Sequence, residues 1–312
     1  MRVRALAAAA ILLAVASGAW AQEEEPPRRN GAFGVRYWLS SGETKHSHNA
    51  QVVDPGFGNP TSVLTYSNLD ANSVEIFGRQ VFERDWFVKG YLGYGRINSG
   101  WFRDEDFFAG QDKFSDTTSA VPEGWLGYGS IDVGRSWVLR DGAINLGVFV
   151  GYSQWTEYVD AYGATDHLGF IGGDIPTSVK VISNKALWRG LRVGFAGEFA
   201  IARRAWLAVD LAGVPYATVR NEDSHVLRAD LDDLGPAPNI ILDGHGWGVQ
   251  LDAEVRYQIA RRTDLAVGFR YWYFEITKGT RSLPNFPGDS SLPLVELYST
   301  RNGLTLSLRR TW

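Results

Sequence analysis

The sequence predicts an all-β protein: a ten-stranded antiparallel transmembrane β-barrel with long extracellular loops and short periplasmic turns. Three observations predict it. Apolar and polar residues alternate with period two over long stretches, the connections between these stretches are alternately short and long, and the chain closes on an amphipathic segment that stops at Trp312. The composition agrees, because 35 glycines, 12 tryptophans and 13% aromatic residues suit strands, tight turns and aromatic girdles.

Residues 1–21 read as a signal peptide. Arg2 and Arg4 form a positive start, 5–15 is an apolar run, and Ala19-Trp20-Ala21 is a small-x-small cleavage site. Export in a Gram-negative bacterium follows, with residues 22–312 as one outer-membrane barrel. Residues 22–29 read as a solvated leader. Strands are expected at 31–41, 63–82, 86–107, 117–140, 144–165, 178–201, 205–229, 243–260, 264–283 and 299–312. The clearest is 249–259, where Val249, Leu251, Ala253, Val255, Tyr257 and Ile259 alternate with Gln250, Asp252, Glu254, Arg256 and Gln258. A strand with one lipid face and one polar lumen face produces this pattern, and a buried helix does not. Lumen charges such as Asp252, Glu254 and Arg256 are expected to pair with one another. The last strand alternates Leu304, Leu306 and Leu308 with Thr305 and Ser307, with Arg310 near the interface.

Tight turns are expected at 83–85, 141–143, 202–204 and 261–263, and long loops at 42–62, 108–116, 166–177, 230–242 and 284–298. An even strand number returns both ends to the periplasm. A 20-residue strand tilted about 40° rises on the order of 50 Å, about twice the apolar band, so the barrel should project beyond the membrane on the long-loop side. After residue 21 no apolar run approaches 18 residues, so no spanning helix is expected. The absence of cysteine excludes disulfides, cysteine nucleophiles and Cys-ligated metals. A net charge of −4 gives no nucleic-acid footprint.

Two short motifs carry the chemistry. Asp104-Glu105-Asp106 closes the third strand and Asp223-Ser224-His225 the seventh. Residues at i and i+2 share a face, and strands three and seven lie nearly opposite in a ring of ten. A water held between the pairs could be deprotonated by His225, oriented by Asp223 and positioned by Asp104 and Asp106. Closely placed like charges would keep a proton on one carboxyl. Parity opposes this on strand seven, where Leu207, Val209 and Leu211 share odd positions with Asp223 and His225. A bulge near Pro215 is expected to reset the register. His46-Ser47-His48 suits a metal pair only weakly, and no metal is expected. Asp166-His167 reads as a loop, and Asp243-Gly244-His245-Gly246 as a turn entering strand eight.

With these motifs in order, the chain resembles the omptin family of outer-membrane endopeptidases, ten-stranded barrels that face an Asp-x-Asp with an Asp-x-His across the rim. The stretch 39–45, Leu-Ser-Ser-Gly-Glu-Thr-Lys, is similar to the family's first-strand Ser-Gly-x-Thr-Lys. The resemblance implies peptide hydrolysis at the cell surface, with a peptide or protein substrate, outer-membrane lipid around a monomer, and no cofactor. Lipopolysaccharide dependence stays open, since Gln154 and Thr156 follow Gly151-Tyr152 where the family has a Glu and an Arg. The family's acidic pocket for basic side chains is altered as well. His46 and Asn221 stand at its acidic positions, and Glu222 is the candidate replacement.

The alternative from another class is a non-enzymatic surface barrel serving adhesion or architecture. A passive porin fits less well, because ten strands leave a narrow lumen crowded by charge. A lipid hydrolase would need Ser224 beside His225, but the two point to opposite faces.

Overall fold

The structure, a computed structural model, describes residues 30–230, 233–285 and 291–312. The expected signal peptide and leader lie outside them. Ten strands follow in chain order: β1 (Gly31–His48), β2 (Ser62–Val81), β3 (Trp86–Phe108), β4 (Asp112–Leu139), β5 (Ile144–Asp166), β6 (Ile175–Ala202), β7 (Ala205–His225), β8 (Ile240–Ala260), β9 (Thr263–Ser282) and β10 (Leu292–Thr311). Each pairs antiparallel with its sequence neighbours, and β1 pairs with β10 to close the barrel.

The ten expected strands all occur, with corrections where both faces of the wall are polar; β7 ends at His225 rather than at 229. β1 runs on to His48 and β10 begins at Leu292. Asp243-Gly244-His245-Gly246 belongs to β8 rather than to a turn. The long loop expected at 108–116 is instead a three-residue turn, with Ala109 and Gly110 at positive φ. There the outer wall carries Arg103, Glu105, Lys113 and Asp116 in one ion-pair cluster. With no lipid to face, the strand needs no apolar outer residues, and the alternation that reveals a strand is lost.

The outer wall has an apolar belt. Exposed Phe33, Val35, Ile76, Leu92, Val150, Val193, Val267 and Leu306 lie on it. Their parity is fixed by the lipid, so Arg36, Glu75, Arg192, Glu254 and Arg270 on the opposite parity are buried in the lumen. They are expensive there unless paired, and they are paired. Glu75 accepts from Arg36 at 2.8 Å and from Arg270 at 2.6 Å. Arg270 also donates to Asp252, and Arg256 to Glu254 and Glu198.

Above this charged layer the lumen is filled by rings. Trp38, Trp155, Trp188 and Trp272 are almost fully buried, and Trp38 meets Trp272 edge-on at 4.9 Å. The Arg270 guanidinium lies 5.0 Å from the ring centres of both, joining the charged layer to the aromatic one. This plug is the floor of the cleft described next.

Candidate active site

The cleft opens above the plug, at the end of the barrel where β3 meets β4 and β7 leads into β8. Its volume is about 660 Å³, and its lining includes Asp104, Asp106, Asp223, His225, His46 and Arg281. That is the size of an ordinary ligand pocket, ~300–1,000 Å³. At the same level the outward residues are charged: Arg103 and Glu105 on β3, Arg220 and Glu222 on β7. The cleft therefore stands beyond the lipid belt.

Register shifts aim both motifs inward. On β7, Ala208, Ala212 and Val214 are buried on even positions, whereas Ala217, Val219, Asn221 and Asp223 are buried on odd ones. The switch falls at Pro215 and Tyr216, where the pairing slips against β6 and β8 alike. Proline lacks the N–H that a regular ladder would use, so a bulge is its natural place. The expected bend is thus present where parity required it. β3 makes the same kind of change, which the sequence reading did not anticipate. Its register against β2 is irregular around Ser99, between buried Ile97 and buried Phe102. Asp104 and Asp106 then fall on the inward parity.

Asp223 is fully buried and held from several sides. Its Oδ1 accepts from the Tyr66 hydroxyl at 3.1 Å and from Asn184 Nδ2 at 3.4 Å. Its Oδ2 lies 3.4 Å from His225 Nε2. Asn239 fixes the other end of His225 by bonding both its backbone N–H (2.9 Å) and its carbonyl (3.1 Å). Burial pushes the Asp223 carboxyl up, but the adjacent His225 imidazole, helped by Asn184, holds it below the usual range. Burial likewise opposes charge on His225, and Asp223 and Asp104 outweigh it, so the imidazole is raised above its ordinary 6.5.

Across the cleft, burial and then the charge of Asp106 raise Asp104 to about 7. Burial raises Asp106 too, against hydrogen bonding from Ser62 and the charge of His225. Ser62 Oγ donates to Asp104 Oδ1 at 3.4 Å. The two motifs therefore sit in one field. One side is an ionised carboxylate under an imidazole, and the other is a carboxyl pair that keeps a proton near neutral pH.

The three residues read from the sequence as substrate contacts fare differently. His46 lines the cleft, buried, with Nε2 unpartnered. Asn221 is fully buried behind the cleft, exchanging two amide hydrogen bonds with Asn184 at 2.8 and 3.2 Å. Glu222 is a correction. It takes the other parity of β7, pairs with Lys185 and Arg220 on the outer wall, and does not reach the cleft. Ser224 has the same parity as Glu222 and does not line the cleft either. No group of His, Asp and Glu suited to a metal ion occurs among the described residues. Tyr66, Asn184, Asn239 and Arg281 were not read from the sequence as site residues. The signal for Tyr66 and Arg281 is masked, because β2 shifts register near Asn68 (φ 50°) and β9 near Thr277.

No protein-family model matches the sequence, and no curated protein does. The outer-membrane protease OmpT from Escherichia coli has a similar fold, with a TM-score of 0.71 at 13% identity, over 93% of this chain and 99% of that one. The outer-membrane protein AlkL aligns with a TM-score of 0.37 at 13% identity, over 95% and 96% of the two chains. The toluene transporter TodX of Pseudomonas putida aligns at 0.30 and 10% identity, over 92% and 90%. The closed ten-stranded ring, its apolar belt and the likeness to OmpT make this an outer-membrane β-barrel.

Proposed function

We propose that the chain is an omptin-like endopeptidase whose cleft opens at the cell surface. One observation carries the reading. Two register-shifted strands bring a His–Asp pair and an Asp–Asp pair into one cleft with opposite proton demands.

The roles follow from the atoms. Nε2 of His225 faces Asp223, so the imidazole proton is held there and Nδ1 keeps the lone pair. A water within reach of Nδ1 loses its proton to the ring as its oxygen attacks the peptide carbonyl carbon. Asp223 stabilises the imidazolium that forms, and Tyr66 and Asn184 hold Asp223 in place. Asp104 and Asp106 position the water from the other side. The proton they retain can be donated in a hydrogen bond to the oxyanion. When the C–N bond breaks, the proton on His225 leaves with the amine. The aromatic floor keeps bulk water from entering below, which strengthens each of these interactions. The substrate is a peptide or protein, the surrounding partner is outer-membrane lipid, the protein works as a monomer, and no metal or cofactor is required.

A digest of a broad peptide library by purified, refolded protein with lipopolysaccharide tests the reading. His225→Ala and Asp104→Ala should each lower cleavage by about 10²–10⁴-fold while the barrel still assembles. Undiminished hydrolysis in either variant removes the mechanism. No cleavage of any sequence by the parent leaves a non-enzymatic surface barrel.

A further inference from the structure

We propose that Arg281, with His46 beside it, selects the substrate by binding the carboxylate of an Asp or Glu side chain next to the scissile bond. This rests on the peptidase reading for the bound chain, but the anion site itself does not.

Arg281 lies on β9 beyond the point where that strand shifts register. Against β8 the ladder runs His245–Lys278 and then Gly246–Ile276, leaving Thr277 as an extra residue. Before the shift the inward residues are even, as in Arg270, Trp272, Phe274 and Ile276. After it Arg281 lines the cleft. A bulge that turns a guanidinium into a binding cleft is a costly arrangement unless something uses the cation.

Among the described residues no carboxylate lies within ion-pair distance of Arg281. Its surroundings do not offset its burial. Burial, and then the neighbouring charge of Arg228, leave its pKa below that of a free guanidinium, although Asp223, Asp106 and Asp104 act in the other direction. Asp223 is the strongest charge acting on it, but neither Asp223 nor Asp104 nor Asp106 comes within ion-pair distance. Arg228, the other arginine of the cleft, is already bound to Asp233 at 2.7 Å. The nearby imidazole of His46 is 3% exposed, and its Nε2 has no partner. Burial and the charge of Arg281 push His46 down to about 4, so at neutral pH it is uncharged and can present an N–H.

The chemistry of the ligand follows. A guanidinium offers a fork of donors that matches the two oxygens of a carboxylate, and a neutral imidazole N–H adds a third. An ammonium group would meet Arg281 as a like charge. Position selects a flank of the substrate. In the ring, β9, β10 and β1 form the wall that joins the β7 and β3 sides of the cleft. A peptide held between His225 and Asp104 turns one adjacent side chain toward that wall. The facing wall offers neutral Ser119, Ile175 and Val181 instead.

The experiment measures binding and cleavage of N-acetylated, C-amidated hexapeptides that differ only in Glu, Gln or Lys at one position, scanned through the peptide. Wild-type protein refolded in detergent with lipopolysaccharide should bind one Glu peptide about ten-fold more tightly than its Gln counterpart. In R281M the two affinities should converge, and in R281E the Lys peptide should become the preferred one, with circular dichroism confirming the barrel. Equal affinity for Glu and Gln peptides in the wild type overturns the proposal without need of any variant. So does a Glu preference that survives R281M. Tight Glu-dependent binding with no cleavage leaves the anion site standing and removes the peptidase reading instead.

Discussion

Asp104→Asn should make the barrel more stable and, at the same time, destroy its activity. Asp104 is raised from 3.8 to about 7 by burial and by Asp106. A carboxyl raised on folding is a liability wherever the unfolded chain is ionised. Below about pH 4 both states carry the proton, and the substitution changes nothing through charge. Between about pH 4 and 7 the unfolded state gives up its proton and the folded state does not, so the parent loses stability by ~1.4 kcal/mol per pH unit. Above about 7 the deficit is complete. A shift of roughly 3 units gives an upper figure of ~4 kcal/mol. Asp104 faces an open cleft and shares its proton with Asp106, so about half of that, ~2 kcal/mol, is the realistic gain. Asparagine keeps the shape and still accepts from Ser62. The assay is guanidinium unfolding in phospholipid vesicles, followed by tryptophan fluorescence at pH 4 and pH 8. The variant should match the parent at pH 4 and exceed it at pH 8. A variant that is no more stable than the parent at pH 8, or that gains equally at both, refutes a carboxyl held out of its preferred charge state.

Two further outcomes follow from the same geometry. Activity should rise with pH through the raised pKa of His225, because only the neutral ring can take a proton; Asp223→Asn removes the charge that raises it, so the acid limb of kcat/KM should move to lower pH even as the rate falls. Glu75→Gln should destabilise the barrel by about 3–5 kcal/mol in the same unfolding assay, because it leaves the buried Arg36 and Arg270 short of a counter-charge.

How much of this was legible in the sequence depends on which solvent each residue faces. Within the lipid belt, one face must be apolar and the other need not be, and strands such as 249–259 or 304–308 announce themselves. Beyond the belt both faces are wet. There the strand ends at His48 and Leu292 and the turn at 109–111 were misread, because nothing forces alternation. The residues proposed as catalytic were legible as two spaced motifs, and the Pro215 bulge was legible because parity demanded a break and proline supplied a place for it. Tyr66 and Arg281 were not. A bulge marked by Asn68 or Thr277 leaves no residue as telling as proline, so the inward set after it cannot be assigned by counting. Asn239 comes from the β7–β8 connection, and its role exists only once the chain folds back on His225.

The shifts at Asn68, Ser99, Pro215 and Thr277 have a common physical purpose. A regular strand has a single parity from end to end, and in this barrel the membrane has already chosen it: Leu211 faces outward on β7, so every odd residue above would follow. Asp223 and His225 are odd. Without a bulge the lipid would dictate which way the Asp223–His225 pair points, some twelve residues away. One extra residue at Pro215 breaks that link, so the upper wall takes its parity from the cleft while the lower wall keeps that of the belt. The break in pairing falls on exposed Pro215 and Tyr216, and proline has no N–H to leave unpaired there. Above the aromatic floor the wall is therefore free to serve chemistry, and below it the same strands serve only the membrane and the paired charges they enclose.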